Sequence, residues 1–212
     1  MKVGKRWRVR REALEEFLRE RERSSTLVGQ LGSFLRVPDN VLAIAGDLAL
    51  LRRLDAAFFR VGEARGGLLV KFYGGEDSPP EELISRFEEN GLDAGRLQRE
   101  GRLLMRREKD PSDGRQDLLE RLVGEEAGAG RTVWASFDWV MQVELETALK
   151  QQEALAGIVD AGQLVVKTAA LEGGIEGWSS AELRRAQASH SGTILASESG
   201  LSLSRATPMP AS

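Results

Sequence analysis

Residues 66–105, GGLLVKFYGGEDSPPEELISRFEENGLDAGRLQREGRLLM, constrain the fold more than any other stretch of the chain. Leu68 to Phe72 is a short run of strand formers bounded by Gly66-Gly67 and Gly74-Gly75, the pattern of a strand buried on both faces. Ser78 is placed to cap a helix whose first turn is Pro79-Pro80-Glu81-Glu82. The prolines stand where no N–H is needed, and the carboxylates face the positive end of the helix dipole. Leu83, Ile84 and Phe87 supply an apolar stripe, and Asn90-Gly91 stops the helix. A short helical piece over 92–99 and Gly101 lead to a second strand, Leu103 to Met105. A strand–helix–strand unit joins parallel strands, so the expected fold is α/β with a mainly parallel sheet flanked by helices.

The rest of the chain supplies neighbours for that unit. Val41 to Ala45 reads as a buried strand, followed by a long helix over 48–65 with Leu50, Leu51, Leu54, Phe58 and Val61 inward. Leu118, Leu119, Leu122 and Val123 mark a further helix that ends in the run GEEAGAG. Thr132 to Phe137 is a strand, Trp139 to Leu155 a helix and Leu164 to Lys167 a strand. A Gly-rich loop covers 171–177, and Ser179 or Ser180 caps a helix through Ser189. Thr193 to Ala196 and Leu201 to Leu203 form a terminal antiparallel hairpin across Glu198-Ser199-Gly200. The spacing of Leu27, Val28, Leu31, Phe34 and Leu35 marks a helix whose stripe docks on its own domain, or less often on a dimer partner. These boundaries divide the chain into an N-terminal unit at 1–22, a linker helix at 23–37, the main domain at 38–206 and a tail at 207–212.

A chain of 212 residues with 41% hydrophobic content can bury one ordinary core. A net charge of −3 argues against a protein that coats nucleic acid. Basic charge is nevertheless concentrated before Glu12, in Lys2, Lys5, Arg6, Arg8, Arg10 and Arg11. The absence of cysteine excludes disulfides, thiolate metal sites and a Cys nucleophile. No apolar run reaches the roughly 18 residues of a membrane span, and no apolar signal core opens the chain. A cytoplasmic location is expected.

Residues 2–22, KVGKRWRVRREALEEFLRERE, alternate basic and apolar residues and then turn helical. From periodicity alone they are as well read as a solvated amphipathic segment. Val3, Gly4, Trp7, Val9, Arg11, Leu14, Phe17 and Leu18 also resemble the wing and last helix of the excisionase/MerR-type winged helix-turn-helix. That resemblance implies a small N-terminal wing-helix fragment whose Lys5, Arg6, Arg8, Arg10 and Arg11 contact DNA phosphates, adding affinity more than sequence choice. The two helices that precede the wing in that family have no counterpart here. The expectation is either a start upstream of Met1 or a remnant that has lost its reading head.

The order strand, acidic loop, helix, GLD, GRL, strand is similar to the RecA/KaiC-like ATPases. The resemblance places Val41 to Ala45 before the phosphate loop, whose chemistry needs G-x-x-x-x-G-K-[ST]. This chain reads Gly46-Asp47-Leu48-Ala49-Leu50-Leu51-Arg52-Arg53, with Leu51 for the second glycine, Arg52 for the lysine and Arg53 for the hydroxyl. No nucleotide turnover, no catalytic residue and no cofactor are expected. Glu76-Asp77 falls at the paired catalytic carboxylates of those enzymes, and Asp138 at the metal-site acid that ends a central strand. The simpler readings are preferred: a solvated turn for Glu76-Asp77, and an N-cap of the helix from Trp139 for Asp138.

The chain over 38–205 also resembles the MEDS sensory domains (methanogen/methylotroph, DcmR-type), non-catalytic relatives of that superfamily. Asp39-Asn40-Val41-Leu42, Phe58-Phe59-Arg60-Val61-Gly62-Glu63 and Ser189-His190-Ser191-Gly192-Thr193-Ile194 carry the likeness. Asn40 replaces the usual first histidine, and a lone His190 cannot build a metal site. His190 reads first as a helix C-terminal side chain bonded to the last carbonyls, and second as a ligand contact. The resemblance implies a sensory domain of a helix-turn-helix transcription regulator, with DNA, a small ligand or partner protein, and a second copy as partners. In an open parallel sheet ligands lie beyond the carboxyl ends of the strands. Tyr73, Gly74, Gly75, Phe137, Asp138, Trp139 and His190 are the candidate ligand residues, against the plainer reading that the aromatics fill the core. The alternative function is a pseudo-ATPase scaffold that binds protein or itself.

Overall fold

The structure is a computed structural model and describes residues 26–74, 79–108, 115–139 and 145–205. Helix α1 covers 26–34. Then follow β1 (Asp39–Ala45), α2 (Leu48–Ala64), β2 (Leu68–Gly74), α3 (Pro80–Glu89), α4 (Ala94–Arg99) and β3 (Leu103–Glu108). The chain continues through α5 (Arg115–Ala127), β4 (Val133–Trp139), α6 (Leu145–Ala161), β5 (Leu164–Leu171), α7 (Glu172–Ile175), α8 (Ser180–Ala188), β6 (Gly192–Ser197) and β7 (Gly200–Arg205).

The described strands form one seven-stranded sheet in the order β3-β2-β4-β5-β1-β6-β7. Every neighbouring pair is parallel except β6 with β7, which is the expected antiparallel hairpin. The fold is therefore α/β, a mostly parallel sheet with helices on both faces. Strand alternation divides the core in two. Leu69, Trp134, Val165, Val41 and Ile194 pack beneath α1, α2, α3 and α4. Val70, Phe72, Ala135, Phe137 and Val166 pack on the other face against α5 and α6. Leu31 and Leu35 are buried in the first of these layers, so the α1 stripe docks on its own domain.

Trp134 sets the distance between α2 and the sheet. A Cβ at Gly62 would lie 2.7 Å from its ring, and one at Gly67 2.4 Å from it. Only hydrogen at both positions lets the indole lie against the helix end, where Phe58 meets it edge-on at 5.3 Å.

Several boundaries follow the sequence. Asn90 caps α3, and Gly91 at φ +81° takes the left-handed turn that ends it. Ser179 caps α8 in a reciprocal capping box with Glu182. Others do not. The N-cap of α3 is Pro79, which offers no side-chain bond, and Ser78 lies outside the described residues. The helix expected over Trp139 to Leu155 is displaced: β4 runs to Trp139, and α6 is described from Leu145 to Ala161. Strand β5 extends past Lys167 to Leu171, and the short α7 fills the start of the Gly-rich loop. The wing fragment at 1–22 and the tail at 207–212 also lie outside the described residues. Among the described residues no helix is long and apolar enough to cross a membrane.

Candidate functional site

Lys71, Ser136 and Lys167 occupy one row across three adjacent strands, β2, β4 and β5. All three point to the α2 face and are fully buried. Opposite them, Asp55 projects from α2 and is also buried. Lys71 Nζ donates to Asp55 Oδ2 at 2.6 Å and to Asp138 Oδ2 at 2.5 Å. Ser136 Oγ donates to Asp55 Oδ1 at 2.5 Å, and Lys167 Nζ lies 2.6 Å from the same oxygen. Lys167 also stands 5.9 Å above the Phe58 ring centroid. Two ammoniums thus share the core with two carboxylates, and the charges sum to zero.

Asp138 is the one member that reaches solvent, its side chain 18% exposed, two residues nearer the carboxyl end of β4 than Ser136. Its Oδ1 has no hydrogen-bond partner. Burial works to raise the Asp55 carboxyl, but the charges of Lys167 and Lys71 outweigh it and hold the group far below the usual carboxylate range. Burial likewise opposes the charge on Lys71, and the two aspartates overcome it, so its ammonium is held more tightly than usual. Asp138 goes the other way: burial first, then the nearby Asp55 charge, raise its pKa against the pull of the lysines. The arrangement is an internal charge network in which one buried acceptor atom, Asp138 Oδ1, is left without a hydrogen bond.

The link from β1 to α2, where the resemblance would place a phosphate loop, is closed. Only Gly46 and Asp47 separate β1 from α2. Asp47 Oδ1 accepts from Leu50 N at 2.7 Å, and Gly46 N donates to Ala196 O at 3.0 Å. Leu51 is fully buried in helix α2, and Arg52 pairs with Glu82 at 3.1 Å. A carboxylate sits where a phosphate would need bare N–H groups, and the helix cannot unwind without exposing Leu51.

The candidate ligand residues separate into groups. Tyr73 and Gly74 end β2, and Asp138 and Trp139 end β4, so these four share the carboxyl edge of the sheet. Gly75 lies outside the described residues, as do Glu76, Asp77 and the basic positions Lys5, Arg6, Arg8, Arg10 and Arg11. Phe137 points to the opposite face from Asp138, fully buried and stacked on Phe72 at 4.5 Å. Arg115 covers that pair at 4.1 Å from the Phe137 centroid and forms an ion pair with Glu108. Trp134 is equally core, so these aromatics do not line a crevice. His190 stands at the other edge, beside Asn40 at the start of β1, since Ser191 N donates to Asn40 O at 2.7 Å. Its Nδ1–H donates to Ala186 O at 2.5 Å, as a helix C-terminal histidine does. Burial holds its imidazole down at about 4, against the opposing effect of that bond.

Sequence reasoning missed Asp55, Lys71, Ser136 and Lys167. The signal was present: LLVKFY and LVVKTAA each carry one lysine inside an apolar strand, and a buried ammonium requires a buried partner. The reading of Asp138 as a helix cap fails, because its carboxylate is bound to Lys71 within β4. Among the described residues no cluster of His, Cys, Asp or Glu is placed to hold a metal ion. No protein-family model matches the chain, and no curated protein matches it.

Proposed function

We propose that this chain is the sensory or regulatory part of a helix-turn-helix transcription regulator, built on a degenerate RecA/KaiC-like core and without catalytic activity. The observation that carries the reading is the two-residue link between β1 and α2, capped by Asp47 where a nucleotide enzyme cradles phosphate. What remains near the carboxyl edge is Asp138, partly exposed and held by an internal charge network, with its buried Oδ1 free of a hydrogen bond. Tyr73 and Gly74 lie on the neighbouring strand end. Such a site suits recognition of a small ligand or partner rather than turnover. The basic residues Lys5, Arg6, Arg8, Arg10 and Arg11 supply phosphate contacts to DNA in this reading.

Thermal unfolding of the full chain across a metabolite set tests it. A ligand at a hundred times its dissociation constant adds about 2.7 kcal/mol. A stabilising metabolite whose effect is lost in Asp138→Asn supports the reading. Magnesium-dependent stabilisation by ATP overturns it.

A scaffold that assembles with itself is favoured by one observation. Strand β7 has no partner on its outer side among the described strands, and Leu195 on its neighbour is 44% exposed. Silence across metabolites together with a concentration-dependent molar mass would put that reading first.

A further inference from the structure

Away from Asp138, a groove of about 920 Å3 opens between α1, the first turns of α2 and the β6–β7 hairpin. Its size lies within the range of small-molecule sites. Leu27, Leu50 and Leu201 give it apolar walls. Arg53 also lines it, half-buried, and forms no hydrogen bond or ion pair among the described residues. The adjacent Arg52, by contrast, is neutralised by Glu82. A half-buried guanidinium without a counter-ion, set among leucines, is a fork lacking its carboxylate.

We propose that this groove binds a small monocarboxylate with an apolar body, its carboxylate taken by Arg53 and its hydrocarbon by the leucines. The remaining charges on the lining select against multiply charged anions. Asp47 and Glu198 both stand on it, so against the single positive Arg53 the lining sums to −1. That net charge opposes a doubly charged phosphate or dicarboxylate about twice as strongly as a monocarboxylate, whose single charge Arg53 matches. The occupant touches Leu27 of α1, the first described helix. The site is independent of the strand-end reading at Asp138 and does not need it.

Isothermal titration and thermal unfolding of the full chain with sodium octanoate and sodium phenylacetate test the proposal, with octanamide and inorganic phosphate as controls. At least one carboxylate is expected to bind with 1:1 stoichiometry and to raise Tm by about 5 °C or more at a hundred times its Kd. Arg53→Met is expected to weaken that binding about tenfold or more. Ser199→Asp, at an exposed position of the hairpin turn on the groove rim, serves as a second variant and must weaken it in the same direction. Asp138→Asn must leave it unchanged, which separates this groove, at the ends of β1 and β6, from the site at the end of β4. The proposal is overturned if neither carboxylate binds, if Arg53→Met and Ser199→Asp bind as the parent does, or if octanamide or phosphate binds equally well.

Discussion

Asp55 and Lys71 meet at 2.6 Å with both side chains almost wholly out of water. The pair joins the long helix α2 to strand β2, and Lys167 and Ser136 reach the same carboxylate from β5 and β4. Removing Asp55 strands the Lys167 ammonium in the core and leaves Lys71 with Asp138 as its one carboxylate. Asp55→Ala is expected to lose about 3–5 kcal/mol of stability, because the uncompensated charge costs more than the lost bonds. Urea denaturation of the variant against the parent measures it. An unchanged midpoint would mean that Lys167 finds water in the folded protein.

Acid sensitivity should resolve into two windows. His190 is held at about 4 in the fold, while an imidazole in the unfolded chain titrates near 6.5. Between those values the unfolded chain binds a proton that the folded one refuses. Stability from this group is therefore complete above about pH 6.5 and is lost as pH falls toward 4, by about 3 kcal/mol. Asp55, with its depressed pKa, contributes stability above about pH 3.9 and loses it only below that. Asp138, with its raised pKa, acts in the opposite sense. His190→Asn is expected to flatten the stability profile between pH 6.5 and 4 and to leave the lower window in place. Equal slopes in the two proteins would sink the assignment.

Gly62→Ala tests the seating of α2. The added methyl carbon would fall 2.7 Å from the Trp134 ring and 2.8 Å from a Leu69 methyl. Overpacking of this kind costs about 1–3 kcal/mol. The expected outcome is a lowered Tm accompanied by a change in Trp fluorescence, since the indole must move.

Arg205 fastens the last described strand to the first. Its Nη1 donates to Asp39 Oδ1 at 2.7 Å and its Nη2 to Asp39 Oδ2 at 2.9 Å, while Nη2 also bonds Phe34 O at the end of α1. The guanidinium lies 4.1 Å over the Phe34 ring. Arg205→Met leaves buried Asp39 with only Ser191 and Arg36 N. Hydrogen exchange in α1 is expected to speed up about tenfold or more while that of β4 and β5 stays slow, the pattern of local rather than global opening.

The parallel core was legible because its strands are short apolar runs, that of β2 bounded by glycines on both sides, and each of β1, β2, β4 and β5 appears where such a run stands. The hairpin β6–β7 and the cap at Ser179 were legible for equally local reasons, the turn Glu198-Ser199-Gly200 and a serine ahead of the helix. The failures are non-local. Nothing near Asp138 in sequence announces that Lys71, 67 positions earlier, claims its carboxylate. A bound aspartate and a helix cap look the same until the strands are aligned. Phe137 and Asp138 are neighbours in the chain yet face opposite layers, so grouping them by position merged core with site. His190 failed as a crevice residue for a similar reason: the direction of β6 puts it at the amino edge, a matter of topology rather than composition.

The Arg205 clasp gives the molecule a mechanical axis. Strand β1 lies inside the sheet, hydrogen-bonded along both sides to β5 and β6, and so cannot yield without breaking two ladders at once. Helix α1 is moored to the head of that strand through Phe34, Arg205 and Asp39. A pull or twist arriving along α1 therefore loads two guanidiniums, Arg205 and the Arg65 that donates to Gly32 O and Leu35 O, besides buried Leu31 and Leu35. Load on this helix is thus divided among α2, β7 and the head of β1 rather than carried by one contact.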